Sequence, residues 1–464
     1  MKVLFIYEYE YVEPLGIMAL SAFLKQNSID CDFIDLAFEK NLVNAVEKIN
    51  PDVIAYSLIT GKHQFFQKIN NELKQKFRFF SVFGGPHPTF FPEFIHEQGV
   101  DAICRGEGEQ PLLELVRALE LRSDYLHIKN LWLKKGEEIV KNDLRGILPI
   151  ENLSVPDREL IHKYAHYRKK KIRFVITSRG CPYSCTYCFN NGLKKIYRSE
   201  KLVRQLTVDK TISDLLYIKD KYHPKRFKFI DDIFTLNKQW IVEFSEKYRQ
   251  VIGLPFLAHV RANHIDEDVV KALKNAGCTL VEFGIESGSE HIRNDILKRN
   301  MTREQIIRVS LLFKKYGIKT LSFNIMGLPD ETVENAIETV QLNIDAKIDY
   351  AWCGIFHPLP MTELTDYAIS QGYYDGGQFL LKDYYIYKKS ELKMKNIDQL
   401  DRLHFLSSMA VAFPFTLPLI KLMIRIPLRQ LYQTIYFIHR AYNYFFKLKQ
   451  IDVAEMFIFE KMFK

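Results

Sequence analysis

Three cysteines, Cys181, Cys185 and Cys188, fall within eight residues of the loop SRGCPYSCTYCFNN, in a Cys-x3-Cys-x2-Cys spacing. Thiolates at that spacing are close enough to ligate three irons of one cubane cluster. A structural zinc site typically wants four ligands in two separated pairs, and the chain offers no second pair. With three thiolates, one iron of a four-iron cluster keeps no protein ligand, and an open coordination position is what a catalytic metal site requires. The other four cysteines, Cys31, Cys104, Cys278 and Cys353, are scattered and read as small buried hydrophobes. An odd total of seven suits a reduced chain better than a disulfide framework.

The cysteine loop needs a scaffold, and the pattern around it supplies one. From Lys170 to about Leu364, short apolar runs alternate with amphipathic stretches: IRFVITS, RFKFIDD, FLAHVRA, LVEFGIESG, TLSFNIMGLP and AWCGIFHPLP. Six β/α units of this kind predict a full or partial parallel barrel, whose chemistry faces the carboxyl ends of the strands. The cysteine loop lies at such an end.

The same alternation fills residues 1–121, in KVLFIY, CDFIDL, VIAYSL, FFSVFGG and DAICRG. It predicts a doubly wound parallel sheet, which takes its ligand at the carboxyl ends of its strands. Ser57 and Thr60, the GGPHPTF segment beginning at Gly84, and RGEGE at Arg105 to Glu109 lie there. Residues 122–167 lack a clear period, contain one hairpin pattern in LHIKNLWLKKGEEIV and read as an interdomain linker. The expected domains are therefore 1–121, a linker at 122–167, a barrel at 168–365 and a helical region at 366–464.

In the last region aromatics and basic residues interleave, as in KLMIRIPLRQLYQTIYFIHRAYNYFFKLKQ. Its longest uncharged stretch, Phe405 to Ile420, is short for a membrane span and broken by Pro414 and Pro418. A packed helical cap and a lipid-facing surface both fit. No secretory signal is visible, so the cytoplasm is the expected compartment, with peripheral membrane contact left open. The net charge of +9 is dispersed along 464 residues, and nucleic acid is not implied.

The cysteine loop and the barrel resemble the radical S-adenosylmethionine superfamily. That resemblance implies that the open iron chelates the cofactor's amino and carboxylate groups, and that reductive sulfonium cleavage releases a 5′-deoxyadenosyl radical. It further implies S-adenosylmethionine contacts at Tyr187, at Gly284, Glu286 and Ser287 of FGIESGS, and at Ile325 and Gly327 of FNIMGLPDE. Asp231 and Asp232 resemble an acidic pair near substrate or cofactor, and equally fit a helix N-terminus stabilised by its dipole. Arg261 fits a carboxylate clamp or a structural ion pair. Cys353 is placed to give a hydrogen atom to a substrate radical, against the simpler reading of a packed thiol.

The N-terminal motifs, taken in order, resemble the cobalamin-binding domain that precedes the radical domain in one large subfamily. They carry cobalamin contacts to Leu15, Gly16, Ser57, Thr60, Gly84, Gly85, His87, Thr89, Gly106, Glu107, Gly108 and Glu109. The Asp-x-His-x-x-Gly sequence that supplies a lower axial histidine in many cobalamin proteins is absent, and His87 stands in a different loop. A base-off cobalamin without a protein ligand is expected, and His87 is expected to be a loop or pocket residue.

The expected activity is methylation of an unactivated carbon on a small, apolar or lipid-like molecule, driven by a flavodoxin- or ferredoxin-type one-electron donor. Cyclisation or rearrangement, as in relatives resembling the anaerobic magnesium-protoporphyrin monomethyl ester cyclase, uses the same cofactors and motifs. A non-catalytic corrinoid sensor or iron–sulfur carrier would need a fully ligated cluster, which the missing fourth cysteine opposes.

Overall fold

The computed structural model describes residues 1–198, 202–376 and 389–448. These form two compact units, and the first consists of Met1–Lys170 together with residues 193–198 and 202.

In the first unit, five parallel strands form the heart of a seven-stranded sheet: β1 (Lys2–Tyr7), β2 (Asp30–Asp35), β3 (Val53–Ser57), β4 (Phe80–Gly84) and β5 (Ala102–Cys104). Val3, Leu4, Phe5 and Ile6 are all buried. Such an unbroken apolar run, without alternation, marks a strand covered on both faces. Helices α1 (Leu15–Gln26), α2 (Leu42–Ile49), α3 (His63–Lys74), α4 (Pro86–Phe90) and α5 (Glu109–Leu121) connect the strands. Strand order runs β2-β1-β3-β4-β5, so the winding reverses between β1 and β3. That reversal opens a crevice at the carboxyl ends of these two strands.

The expected linker at 122–167 is corrected by the structure, which builds it into this unit. Strands β6 (Leu131–Lys135) and β7 (Glu138–Lys141) pair antiparallel and extend the sheet beyond β5. Leu131, Trp132 and Leu133 are buried there and cover an edge that would otherwise be open to pairing. Farther along, Arg158 donates to Glu13 at 2.6 Å with both side chains almost fully buried, and the Tyr167 hydroxyl donates to Asp35 at 2.7 Å. Residues that bury polar groups against the sheet in this way are core, although their lack of a period hid it.

The second unit holds the predicted barrel in partial form. Strands β8 (Ile172–Val175), β11 (Arg226–Phe229), β12 (Phe256–His259), β13 (Cys278–Glu286), β14 (Lys319–Met326) and β15 (Tyr350–Ile355) make one parallel sheet in the order β15-β14-β13-β12-β11-β8. A two-residue ladder, β9 (Ser178–Arg179) with β10 (Arg204–Gln205), stands apart from it. After α6 (Ala165–Arg168) of the first unit, α7 (Phe189–Tyr197) follows the cysteine loop. Helices α8 (Val208–Tyr222), α9 (Lys238–Val251), α10 (Glu267–Ala276), α11 (Arg303–Lys315) and α12 (Val333–Asp345) join successive strands. All five begin at a Thr, Asn or Asp whose side chain accepts an amide hydrogen of the first turn.

The chain then continues through α13 (Glu363–Ser370), α14 (Ile397–Ala412), α15 (Leu417–Met423) and α16 (Arg429–Tyr442), with α14 packed on β15 and α12. Among the described residues no helix is long and apolar enough to cross a membrane.

Candidate active site

Cys181, Cys185 and Cys188 all line one cleft of about 670 Å³ at the carboxyl ends of the barrel strands. The loop that carries them is pinned from both sides. Thr186 donates its amide to the Leu297 carbonyl at 3.2 Å and its hydroxyl to the Ile296 carbonyl at 2.7 Å, and the Leu364 amide reaches the Thr186 carbonyl at 3.0 Å. Burial pushes the Cys188 thiol up to about 12 and raises Cys181 as well, so neither ionises readily without a cation to bind.

Positive charge is supplied beside Cys185. Arg261 Nη1 lies 3.7 Å and Arg299 Nη1 3.8 Å from its Sγ. Among the described residues no three His, Cys, Asp or Glu side chains converge on a single-ion site. A cluster makes a different demand, because each thiolate binds its own iron. Three unpaired thiols in one cleft, flanked by two guanidinium groups, are a donor set that fits a four-iron cluster.

Beside the thiols the cleft is lined by Tyr187, Gly284 and Glu286. Glu282, Gly284 and Glu286 of β13 all line the cleft. Tyr187 donates its hydroxyl to Glu286 Oε1 at 2.9 Å, and Arg299 donates to the Tyr187 hydroxyl at 3.2 Å and also to the Gly284 carbonyl. A Cβ at Gly284 would sit 1.8 Å from Glu286 Oε1, so only glycine leaves room for this arrangement. The β13–β14 register shifts between Gly284 and Glu286, and Glu286 takes a left-handed φ of 67°. Such strain in a residue with a side chain belongs where the surroundings hold it for a purpose. Burial raises the Glu286 carboxyl, with Arg299 and Tyr187 opposing. A carboxylate held beside the thiols fits the ammonium group of S-adenosylmethionine.

Other expected contacts separate. Ile325 shares a strand face with Phe323, which lines the cleft. Gly327, at φ 73°, packs instead against Ile355 and Ile397, which a Cβ would meet at 2.8 and 3.1 Å. Ser287 is fully buried outside the cleft lining, and its hydroxyl has no hydrogen-bond partner among the described residues.

Asp231 and Asp232 part company. Asp231 is buried and its Oδ1 accepts from the Thr177 amide and hydroxyl and from the Ser178 hydroxyl, at 2.9, 2.8 and 2.5 Å. It fastens the segment after β8 to the end of β11. Asp232 lines the cleft and accepts from Asn190 at 3.0 Å. The alternative of a helix N-terminal pair fails for both, because α9 starts at Lys238 under an Asn237 cap. Arg261 forms no ion pair with a carboxylate among the described residues. Its guanidinium lies over the Tyr183 ring at 3.6 Å, donates to Asn263 at 2.8 Å and to the Arg299 carbonyl, and presents Nη1 to Cys185.

Cys353 is buried, outside the cleft lining, and burial drives its thiol far above the usual range.

Three charge-bearing residues, Arg299, His259 and Glu282, are among the cleft residues that sequence reasoning missed. Arg299 follows the π-helical turn His291–Ile296, a feature without a sequence signature. His259 and Glu282 were within reach, since Glu282 stands two and four positions before Gly284 and Glu286. Burial alone would raise Glu282, but Lys228 Nζ at 2.7 Å and His259 Nε2 at 3.1 Å outweigh it and hold the carboxyl at about 2.

In the first unit, a cavity of about 600 Å³ occupies the crevice where strand order reverses, lined by Leu15, Gly16, Ser57, Ile59 and Lys62 among others. Lys62 Nζ bridges Glu8 and Glu10 at 3.0 and 3.2 Å on its rim. A Cβ at Gly16 would meet nothing within 4 Å, so this backbone is open to a bulky ligand. An open crevice at the switch point is where a doubly wound sheet receives a cofactor, and its open rim at Gly16 suits part of one as bulky as cobalamin.

The remaining expected contacts, from Thr60 to Glu109, lie outside that lining, at or just beyond the carboxyl ends of β3, β4 and β5, with Gly84 closing β4, His87 and Thr89 in α4 and Glu109 opening α5. Gly85, at φ 90°, packs on Leu58, and Thr89 accepts the Gly106 amide at 3.0 Å while donating to the Gly85 carbonyl at 2.8 Å. Gly84 meets only ordinary contacts, Gly108 packs against Leu20, and Glu109 is buried at the start of α5. The Glu107 amide donates to the Tyr197 hydroxyl at 3.0 Å, a partner the sequence did not reveal. His87 stacks on His63 at 4.0 Å and its Nδ1 faces Thr60 Oγ1 at 3.2 Å. Burial, with His63 adding to it, lowers His87 to about 3.

An open parallel barrel with a three-thiol cleft, in a chain that also carries a switch-point cavity in a doubly wound sheet, defines an iron–sulfur enzyme class with a second cofactor domain. Comparison with known proteins agrees. Residues 175–342 match the model of the radical SAM superfamily, and residues 1–116 match that of the B12 binding domain. An uncharacterized methyltransferase of Pyrococcus horikoshii is 31% identical over 370 residues, which cover 77% of this chain and 78% of the relative. The anaerobic magnesium-protoporphyrin IX monomethyl ester cyclase of Rubrivivax gelatinosus is 26% identical over 379 residues, covering 76% of this chain and 65% of that protein. Among solved structures, the radical S-adenosylmethionine methyltransferase TsrM from Kitasatospora setae, with cobalamin and a [4Fe-4S] cluster bound, superposes with a TM-score of 0.66 at 16% identity, covering 80% of this chain and 75% of that one. The chain belongs to the radical SAM superfamily, in its cobalamin-binding branch.

Proposed function

We propose that this protein methylates an unactivated carbon of a small molecule, using a 4Fe-4S cluster, S-adenosylmethionine and cobalamin. The observation that carries this reading is that Cys181, Cys185 and Cys188 share one cleft with Tyr187 and Glu286, in a chain that also carries a B12 binding domain. When bound, these groups supply one-electron cleavage of the sulfonium, hydrogen abstraction and a transferable methyl group. The protein's own part is to position and to insulate. Arg261 and Arg299 balance the charge at Cys185, Glu286 orients an ammonium group, and Asp232 and His259 face the remaining cleft. A one-electron reductant of flavodoxin or ferredoxin type is required.

The substrate we infer is apolar or lipid-like; the aromatic, basic C-terminal helices support this. The cytoplasm is the compartment we infer, supported by seven free cysteines.

The test is to supply reconstituted protein with reductant, cobalamin and candidate substrates. Release of 5′-deoxyadenosine and S-adenosylhomocysteine, with a product heavier by one methylene unit, is the expected result. A second reading, radical cyclisation, is favoured by the likeness to the Rubrivivax gelatinosus cyclase. It predicts a product that has lost hydrogens or gained oxygen, without S-adenosylhomocysteine.

A further inference from the structure

The chain's exposed apolar surface is unevenly distributed. Of the 21 large apolar side chains exposed among the described residues, ten lie between Phe413 and Phe446. Phe413, Phe415, Leu419, Leu422, Ile426 and Leu428 mark out α15 and its flanks, with Phe415 81% exposed. On α16 and the turn that follows, Leu431, Ile438, Tyr442 and Phe446 recur at intervals of seven, four and four residues, which places them on one helical face. Both helices pack on α14, Ile420, Tyr432 and Tyr436 being buried, so these residues are what the packing leaves outside. So many exposed apolar side chains gathered in one stretch, on two helices packed against the same α14, mark an interaction site.

Charge identifies the partner. Asp and Glu number 56 in 464 residues, about one in eight, yet the fifty residues from Arg402 to Ile451 contain none, against seven Lys or Arg. Arg429 is paired with Asp401 at 2.6 Å, whereas Lys421 and Arg425 are exposed beside Leu419, Leu422 and Ile426 and form no ion pair among the described residues. Short helices broken at Pro414, Pro418 and Pro427 cannot span a bilayer, but they can lie in its interface. We infer that α15 and α16 form a docking surface for an anionic lipid bilayer, with the apolar side chains entering the acyl boundary and Lys421 and Arg425 meeting the headgroups. This deepens the proposed apolar substrate and rests on that reading only for its purpose, since the surface is defined independently of the chemistry.

The test is flotation of the full-length, cluster-loaded protein with vesicles of phosphatidylcholine alone or with about one-third phosphatidylglycerol. Partition onto the anionic vesicles, falling with added salt, is expected. The triple variant Leu419→Gln, Leu422→Gln, Ile426→Gln and the double variant Lys421→Glu, Arg425→Glu should each lower partition roughly tenfold, with circular dichroism melts unchanged. Absence of binding, or equal binding to neutral vesicles that the charge variant does not alter, overturns the inference. So does a dimer in light scattering that the triple variant dissolves, because a second copy of the chain would then cover the face. The readout needs neither S-adenosylmethionine nor substrate. Retained cofactor cleavage by a variant that no longer floats therefore separates loss of docking from failure of the catalytic reading.

Discussion

Arg261 Nη1 lies 3.7 Å from Cys185 Sγ, while the same guanidinium covers the Tyr183 ring at 3.6 Å. A cation that donates toward a cluster-binding thiolate stabilises the more negative, reduced state. Arg261→Gln should therefore lower the cluster's midpoint potential by several tens of mV, since roughly 60 mV corresponds to 1.4 kcal/mol for one electron. Redox titration followed by electron paramagnetic resonance reads the shift, and an unchanged potential would mean that the contact serves only the loop's shape.

Cys185→Ala should abolish cluster assembly and S-adenosylmethionine cleavage and leave cobalamin binding close to wild type. Iron content and the cobalamin absorption spectrum are the two measurements. Parallel loss of both cofactors would show that the two sites are not separable.

The adjacent aspartates should respond differently. Asp231→Asn retains one acceptor but loses the charge that three donors share, and should cost about 2 kcal/mol in denaturant unfolding. Asp232→Asn, at the cleft and held by one Asn190 contact, should change stability by less than about 0.5 kcal/mol and act on turnover.

Glu282 should be structurally indispensable to the cleft. Lys228 and Glu282 are both largely buried, so Glu282→Gln leaves Lys228 as an uncompensated charge, at a cost of roughly 3–5 kcal/mol. Adding Lys228→Met should recover part of that loss, measured in a double-mutant cycle.

Glu331 supplies a pH test. It is buried in the turn after β14, accepts the Gly327 and Leu328 amides at 2.6 and 3.3 Å, and is pushed by burial up to about 8 from an ordinary 4.5. The folded state therefore holds a proton that the unfolded state has released. Its contribution to stability is complete below about 4.5 and is lost as pH rises through about 8. Wild-type melting temperature should decline across that interval more steeply than that of Glu331→Gln, and identical slopes would contradict a raised Glu331.

The sequence by itself determined most of the strands and helices and the three thiols proposed as ligands. Continuous apolar runs such as Val3–Ile6 and Val53–Tyr56 are short-range signals of strands covered on both faces, and Cys-x3-Cys-x2-Cys places its thiols within one loop whatever surrounds it. Tertiary structure alone decided what converges on them. Arg299 stands 114 residues from the sulfur it faces, and no local pattern encodes that approach. Asp231 and Asp232 are equivalent as sequence, yet adjacent residues at a strand end point opposite ways, so one is buried under Thr177 and Ser178 and the other lines the cleft. The hairpin of residues 131–141 was legible, but its place in the sheet was not, because edge pairing on β5 depends on partners nearly thirty positions away. The cysteine spacing placed three candidate cluster ligands in one loop; the bulge at Gly284 and Glu286, and the two arginines beside Cys185, exist only once distant strands are brought side by side.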